Sequence, residues 1–217
     1  MNQSYLIGID IGTSACKVAL FDRSGCVLAA ANGDYPVYYP KEGWAEQNPE
    51  EWWSAVCGAV RQVIEEASVA PEEIAGVGID GQSWSAIAID RNGHVLTNTP
   101  IWMDTRAQSV CDRLNEEIGA EAIFPEVYAK IDKILQSNSF IAFKLTGAVS
   151  QDLSQGYGLH CFDMRTGKWN EAMCEKLGIP VEFLPEIVPC DHVVGTVTKK
   201  AAEECGLAEG TPVVAGG

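Results

Sequence analysis

The first group in this sequence with the means to do chemistry is an aspartate placed where a buried strand pattern ends. In YLIGIDIGTSACKVALFD, Tyr5 to Asp22, the apolar positions alternate along two strands, yet Asp10 is followed at once by Gly12-Thr13-Ser14 and then by Lys17. A hairpin turn of that composition exposes consecutive backbone N–H groups and two hydroxyls, which suit phosphate oxygens. Gly12 brings no side chain to keep a phosphate away, and Lys17 adds a point charge. Asp10 has the chemistry to hold a hydrated Mg²⁺, which takes one or two carboxylates plus phosphate oxygens. On residue types alone, a polar turn with a solvated Asp and Lys stays open as the alternative.

Other motifs are weaker. Gly76-Val-Gly78-Ile-Asp-Gly81 satisfies G-x-G-x-x-G, but a dinucleotide site needs a helix after the glycines, and Ser85-Ala-Ile-Ala-Ile reads as a second strand. Neither a Walker-type phosphate loop nor a G-x-S-x-G elbow occurs. Asp22-Arg-Ser-Gly and Asp90-Arg-Asn-Gly repeat one another, with Asp first and Gly last, so Asp22 and Asp90 read as hairpin-turn residues.

The elements that must position the hairpin follow from periodicity. Tyr5, Ile7, Ile9 and Ile11 form one row, so Asp10 leaves on the other face, with the glycines. Lys17 to Phe21 is the return strand and Cys26 to Ala31 a third. Asn48-Pro49-Glu50-Glu51 announces a helix, with an N-cap, Pro at the first position and acids in the first turn, and its apolar period runs almost to Pro71. Strands are expected at 74–80, 85–90 and 101–102, and helices at 105–118, 126–135 and 139–145. The last quarter predicts helices near 170–177 and 199–205 and a strand at 212–215.

Composition narrows the class. The chain has 217 residues and a net charge of −15, which argues against a nucleic-acid surface built from clustered Lys and Arg. Eight cysteines are scattered without a C-x-x-C pair, and the three histidines show no zinc spacing. Free thiols in a reducing cytoplasm are the plain expectation, and no apolar run is long enough for a membrane span.

Taken in order, IGIDIGTSACKVALFD, GWAEQNPEEWW, GVGIDGQSWSAIAIDRNGHVL, PIWMDTRA and QDLSQGYGLHCFDMRTGKWN resemble the N-terminal half of a xylulokinase-like member of the FGGY carbohydrate kinases. The resemblance covers almost the whole chain. It implies an α/β, ribonuclease-H-like fold of the actin and hexokinase type, with a mixed sheet and flanking helices. It implies ATP and Mg²⁺ at Asp10, Gly12, Thr13, Ser14 and Lys17, with Asp10 as the metal ligand. It places Gln82, Ser83, Trp84, Trp102, Asp104 and Arg106 on the sugar side, where indole faces stack on C–H faces and planar groups pair with hydroxyls. Without it, Trp84 and Trp102 read as core aromatics and Arg106 as a surface charge at a helix start. Trp44, Trp52 and Trp53 read as packing.

Departures from the family pattern shape the remaining expectations. Ser83-Trp84 stands where many xylulokinases have Met-His. Ile123-Phe124-Pro125 runs straight into EVYAKIDKIL, where relatives carry a further stretch. No carboxylate matches the family's catalytic base, which is expected beyond Gly217 together with a second, adenosine-binding domain. Residues 1–217 are therefore expected to be one N-terminal kinase domain, inactive alone, whose partners are a sugar, ATP, the C-terminal domain and a possible second copy of the chain. The alternative is a stand-alone actin-like nucleotide-binding or scaffold domain without phosphotransfer.

Overall fold

A computed structural model describes residues 4–108, 125–159 and 161–216. The opening meander is β1 (Tyr5–Ile11), β2 (Ala15–Asp22) and β3 (Val27–Asp34), each antiparallel to its neighbour. Asp22 makes the turn into β3 by accepting from the Ser24 and Cys26 N–H groups, and Asp90 repeats this with Asn92 and His94. The Ser24 hydroxyl, which also donates to Asp22 at 2.6 Å, and these backbone bonds favour the charged carboxylates, whose pKa values lie below the ordinary range.

A two-residue strand, β4 (Glu46–Gln47), leads into α1 (Pro49–Ala67). The Asn48 side chain accepts from Glu50 N–H, and Glu50 and Glu51 lie in the first turn, so this helix starts as its sequence predicts. Next come β5 (Ile74–Gly81), β6 (Ile87–Ile89) and β7 (Thr99–Pro100). Beyond residues 109–124 lie a single helical turn at Pro125–Tyr128, β8 (Lys133–Leu135), α2 (Ser137–Thr146) and β9 (Ser150–Asp152). The remainder holds β10 (Phe162–Asp163), β11 (Lys168–Trp169), α3 (Glu171–Leu177), β12 (Glu186–Val188), β13 (Val193–Thr196), α4 (Lys199–Cys205) and β14 (Pro212–Val214).

Six strands form one mixed sheet in the order β13-β14-β5-β1-β2-β3, with β5 parallel to both β1 and β14. Ile7, Ile9 and Ile11, with Val18, Leu20, Val77, Ile79 and Val213, point to a single buried face. Against it pack Trp52, Val56, Val60 and Val63 of α1 and Phe140, Ile141 and Leu145 of α2. The pairing register sets Gly8 beside Gly78 and Asp10 beside Asp80 on the opposite face. That face opens a cavity of about 620 Å³ floored by those residues with Lys17, Ala19 and Asn32.

Three expectations need correction. The segment 126–135 is not one helix: its helical period is overridden where Lys133–Leu135 pairs antiparallel with β6. The short strand expected at 101–102 lies two residues earlier, because the Asp104 N–H closes a turn onto the Ile101 carbonyl. The strand expected over 85–90 is cut to Ile87–Ile89, since Trp84 takes a left-handed backbone and ends regular pairing. The helix expected at 105–118 and the 123–125 junction fall largely outside the described residues. The G-x-G-x-x-G stretch is strand throughout, within β5, as its context predicts.

Candidate active site

The hairpin between β1 and β2 is organised by its carbonyls. The Tyr35 hydroxyl donates to the Gly12 carbonyl at 2.6 Å, Gln47 Nε2 to the Thr13 carbonyl at 2.7 Å, and Tyr35 N–H to the Ser14 carbonyl at 3.3 Å. All three acceptors therefore face the protein. A trans peptide sets its N–H opposite its C=O, so the Thr13 and Ser14 N–H groups face away. Among the described residues neither N–H donates to a protein acceptor. A turn with its carbonyls tied back and its N–H groups free is a concavity for an anion. Gly12 is required by crowding, because a Cβ there would sit 2.9 Å from the Ala15 carbonyl oxygen. Burial pushes the Tyr35 phenol well above its ordinary pKa, with the charges of Cys16 and Asp10 adding to this, so it remains a donor.

Asp10 and Lys17 face one another across the hairpin and pair at 3.2 Å, both well exposed. Asp80 stands beside Asp10 on the neighbouring strand, and both line the larger cavity with Lys17. Two accessible carboxylates next to free N–H groups fit a Mg²⁺ that keeps its waters and shares phosphate oxygens. Among the described residues there is no group of three or more His, Cys, Asp or Glu that could cage a metal without such help.

A second cavity, about 370 Å³, is lined by Gln82, Ser83, Trp84 and Trp102. Trp84 is 53% exposed and Trp102 60%, so neither is the core aromatic that residue type alone suggests. Trp84 holds its indole out from a backbone at φ +69°, a conformation costing a non-glycine residue about 1–3 kcal/mol. Its N–H is anchored by Gln136 Oε1 at 3.0 Å. Ser83 Oγ donates to Gln155 Oε1 at 2.7 Å and accepts from the Tyr157 hydroxyl at 3.3 Å. These supports belong to a buried polar block in which Asp152 accepts from Asn138 Nδ2, Gln151 Nε2 and the Ser154 and Gln155 N–H groups. Sequence reasoning missed Gln136, Gln155 and Tyr157. The available signal was the run Gln151 to Gln155, too polar for a buried strand unless it serves a site.

Trp102 joins the two halves, its Nε1 donating to Thr13 Oγ1 at 3.0 Å. Asp104 and Arg106 lie next to it in sequence but do not line the smaller cavity. Their side chains are 3% and 18% exposed and form a bidentate pair, with Arg106 also bridging to Glu46 at 2.8 Å. The guanidinium lies 3.7 Å over the Trp44 ring, so Arg106 is not the surface charge its position suggests. Asp104 also accepts from Ala45 N–H at 2.7 Å. Burial opposes its charge, yet the bonds from Arg106 and Ala45 win, leaving its carboxyl below the ordinary range and Arg106 above its own. Trp52 and Trp53 are buried, as expected for packing.

Comparison with known proteins bears on this site. The sequence profile of the FGGY family of carbohydrate kinases, N-terminal domain, matches residues 5–126 and 123–217. The xylulose kinase of Bacillus subtilis (strain 168) is 29% identical over 98% of this chain and 47% of its own length. The glycerol kinase of Carboxydothermus hydrogenoformans is 30% identical over 90% of this chain and 45% of its own. The gluconate kinase of Lactobacillus acidophilus superposes with a TM-score of 0.87 at 25% identity, over 98% of this chain and 47% of that one. The chain thus spans about half the length of the relatives it matches. Its mixed sheet and helices have the actin and hexokinase-like architecture of those neighbours. With nearly every described residue inside the two matched segments, the chain belongs to the FGGY family of carbohydrate kinases and corresponds to its N-terminal domain.

Proposed function

We propose that these residues are the N-terminal domain of an ATP-dependent kinase that phosphorylates a sugar, a ketose such as xylulose or a related polyol. The observation that carries this reading is the hairpin whose three carbonyls are tied to Tyr35 and Gln47 while its Thr13 and Ser14 N–H groups face outward. Next to it stand two carboxylates and a lysine on one side and an indole-lined cavity on the other. In this reading the phosphates accept from Thr13 and Ser14 N–H, and Lys17 offsets their charge. Asp10 holds Mg²⁺, with Asp80 beside it; when bound, the ion neutralises phosphate charge. The sugar lies against Trp84 and Trp102 and bonds Gln82 and Ser83. Asp104 and Arg106 act by holding the turn that carries Trp102.

The reaction moves the γ-phosphoryl group of ATP to a sugar hydroxyl. The new O–P bond forms as the bond to ADP breaks, and the hydroxyl proton passes to a base. We assign no base among these residues; in this reading it belongs to the half of the kinase that these residues do not span, as the chain covers 47% and 45% of the length of two relatives. The seven described cysteines are free, which supports a reducing, cytoplasmic setting.

The test is ADP release by the full-length protein across a panel of xylulose, other ketoses, glycerol and gluconate. Sugar-dependent release supports the reading. Nucleotide binding with no release for any member replaces it with the binding-module alternative.

A further inference from the structure

Gln47 is fully buried and spends its whole amide on two sides of the site. Its Nε2 donates to the Thr13 carbonyl at 2.7 Å and the Pro36 carbonyl at 3.3 Å, and its Oε1 accepts from Gln82 Nε2 at 2.9 Å. We propose that Gln47 is a positioning residue that orients the Ser14 N–H of the phosphate hairpin according to the state of Gln82 at the wall of the smaller cavity. The proposal rests on the kinase reading above and adds to it a coupling between the two ligands.

The direction of this relay is dictated by donor count. Backbone carbonyls only accept, so the Gln47 NH₂ must face Thr13 and Pro36. Its oxygen is then left for Gln82, which must present its own NH₂. Gln82 Oε1 is consequently the end of the chain, buried and without a partner among the described residues. The Gln82 backbone cannot yield, since its N–H bonds the Ile11 carbonyl at 2.7 Å and its carbonyl accepts from Ser137 Oγ at 2.7 Å. A sugar hydroxyl at the cavity wall that engages Gln82 can move only the side chain, and that side chain grips Gln47. At the other end, the Thr13 carbonyl and the Ser14 N–H belong to one planar trans peptide, so turning the first turns the second. A second tie, Trp102 Nε1 to Thr13 Oγ1, acts on the side chain and leaves that peptide alone.

The test uses the full-length kinase and the imido analogue of ATP, which is not hydrolysed. Its Kd is measured by calorimetry with and without a saturating amount of the fastest-turned-over sugar of the panel. The wild-type protein is expected to bind the analogue at least about fivefold tighter with sugar present, the low end of ordinary coupling between sites. Gln47→Met keeps the side-chain length and removes the amide; it should weaken the analogue even without sugar and reduce the sugar effect below about twofold. Gln82→Met breaks the relay from the other end and carries the test if Gln47→Met fails to fold. With sugar raised to saturate this variant by its own measured Kd, the sugar effect on the analogue should disappear, whereas a lost sugar contact alone would leave the effect intact once the site is filled. A residue with a merely structural role would shift both Kd values and preserve their ratio. A preserved ratio in Gln82→Met, or no sugar effect in the wild type, overturns the relay while sugar turnover leaves the kinase reading standing. A protein that turns over no sugar overturns the kinase reading, and the relay with it.

Discussion

Replacing Tyr35 by Phe removes one oxygen from the hairpin and almost nothing else. The ring is buried and tilted against Trp52 with centroids 6.3 Å apart, a packing that Phe keeps. What is lost is the 2.6 Å bond to the Gly12 carbonyl. An acceptor left unsatisfied in a buried setting costs about 1–2 kcal/mol. At roughly 2–4 °C per kcal/mol for a domain of this size, the melting temperature should fall by about 2–8 °C. A second effect is specific to the site. The Gly12 carbonyl and the Thr13 N–H share one peptide, so the freed carbonyl lets that N–H wander from its anion-facing direction. A hydrogen bond to a charged group is worth about 1.5–3 kcal/mol, and the rest of the hairpin retains part of it. The KM for ATP should therefore rise about 3- to 10-fold, while the KM for sugar stays within about twofold. Steady-state ADP release and a thermal melt on the full-length kinase measure both quantities. An unchanged ATP KM beside the lower melting temperature would show that the Gly12 carbonyl does not orient the donor, and the account of the hairpin would fail.

Other substitutions separate the remaining roles. Asp10→Ala should collapse turnover while shifting the melting temperature by only a few degrees, because an exposed side chain contributes under about 1 kcal/mol to stability; a folded, fully active variant would contradict the Mg²⁺ role. Trp84→His should reorder the sugars by kcat/KM severalfold, the scale of a stacking contact of about 1 kcal/mol, without raising the ATP KM; a common loss for every sugar would return Trp84 to packing. Asp104→Ala strips Arg106 of its bidentate partner and orphans the Ala45 N–H, which should cost about 2–4 kcal/mol in urea unfolding, somewhat less than a fully buried pair since Glu46 and Trp44 remain. The folded-state pKa of Asp104 is depressed, so its contribution is complete above the ordinary carboxyl pKa and lost as pH falls through the folded value. The gap between wild type and Asp104→Ala should therefore be full at pH 7 and narrow below about pH 4, and a gap constant across that range would refute the assignment.

Local patterns carried the elements whose causes are local. The period-2 rows of β1 and β2, the Asn48 cap with Pro49 behind it, and the Asp22 and Asp90 turns were legible because each depends on residues within a few positions. The hairpin at Gly12-Thr13-Ser14 was legible for the same reason, since its N–H groups lie in consecutive peptides between two strands. Tertiary structure decided everything that needs two distant segments at once. The run 126–135 has a sound helical period, and only the free edge of β6 turns its end into a strand. Trp84 and Trp102 are apolar by type, and their exposure follows from a left-handed backbone and a turn held by Asp104. No spacing rule links Gln47 to Thr13 and Gln82, or Gln155 to Ser83, because those bonds span 34, 35 and 72 positions. The sequence determined the family and the chemistry on offer, through residue types and local order. Folding alone decided which donors face outward and which side chains meet, because hydrogen-bond direction depends on where a distant partner comes to rest.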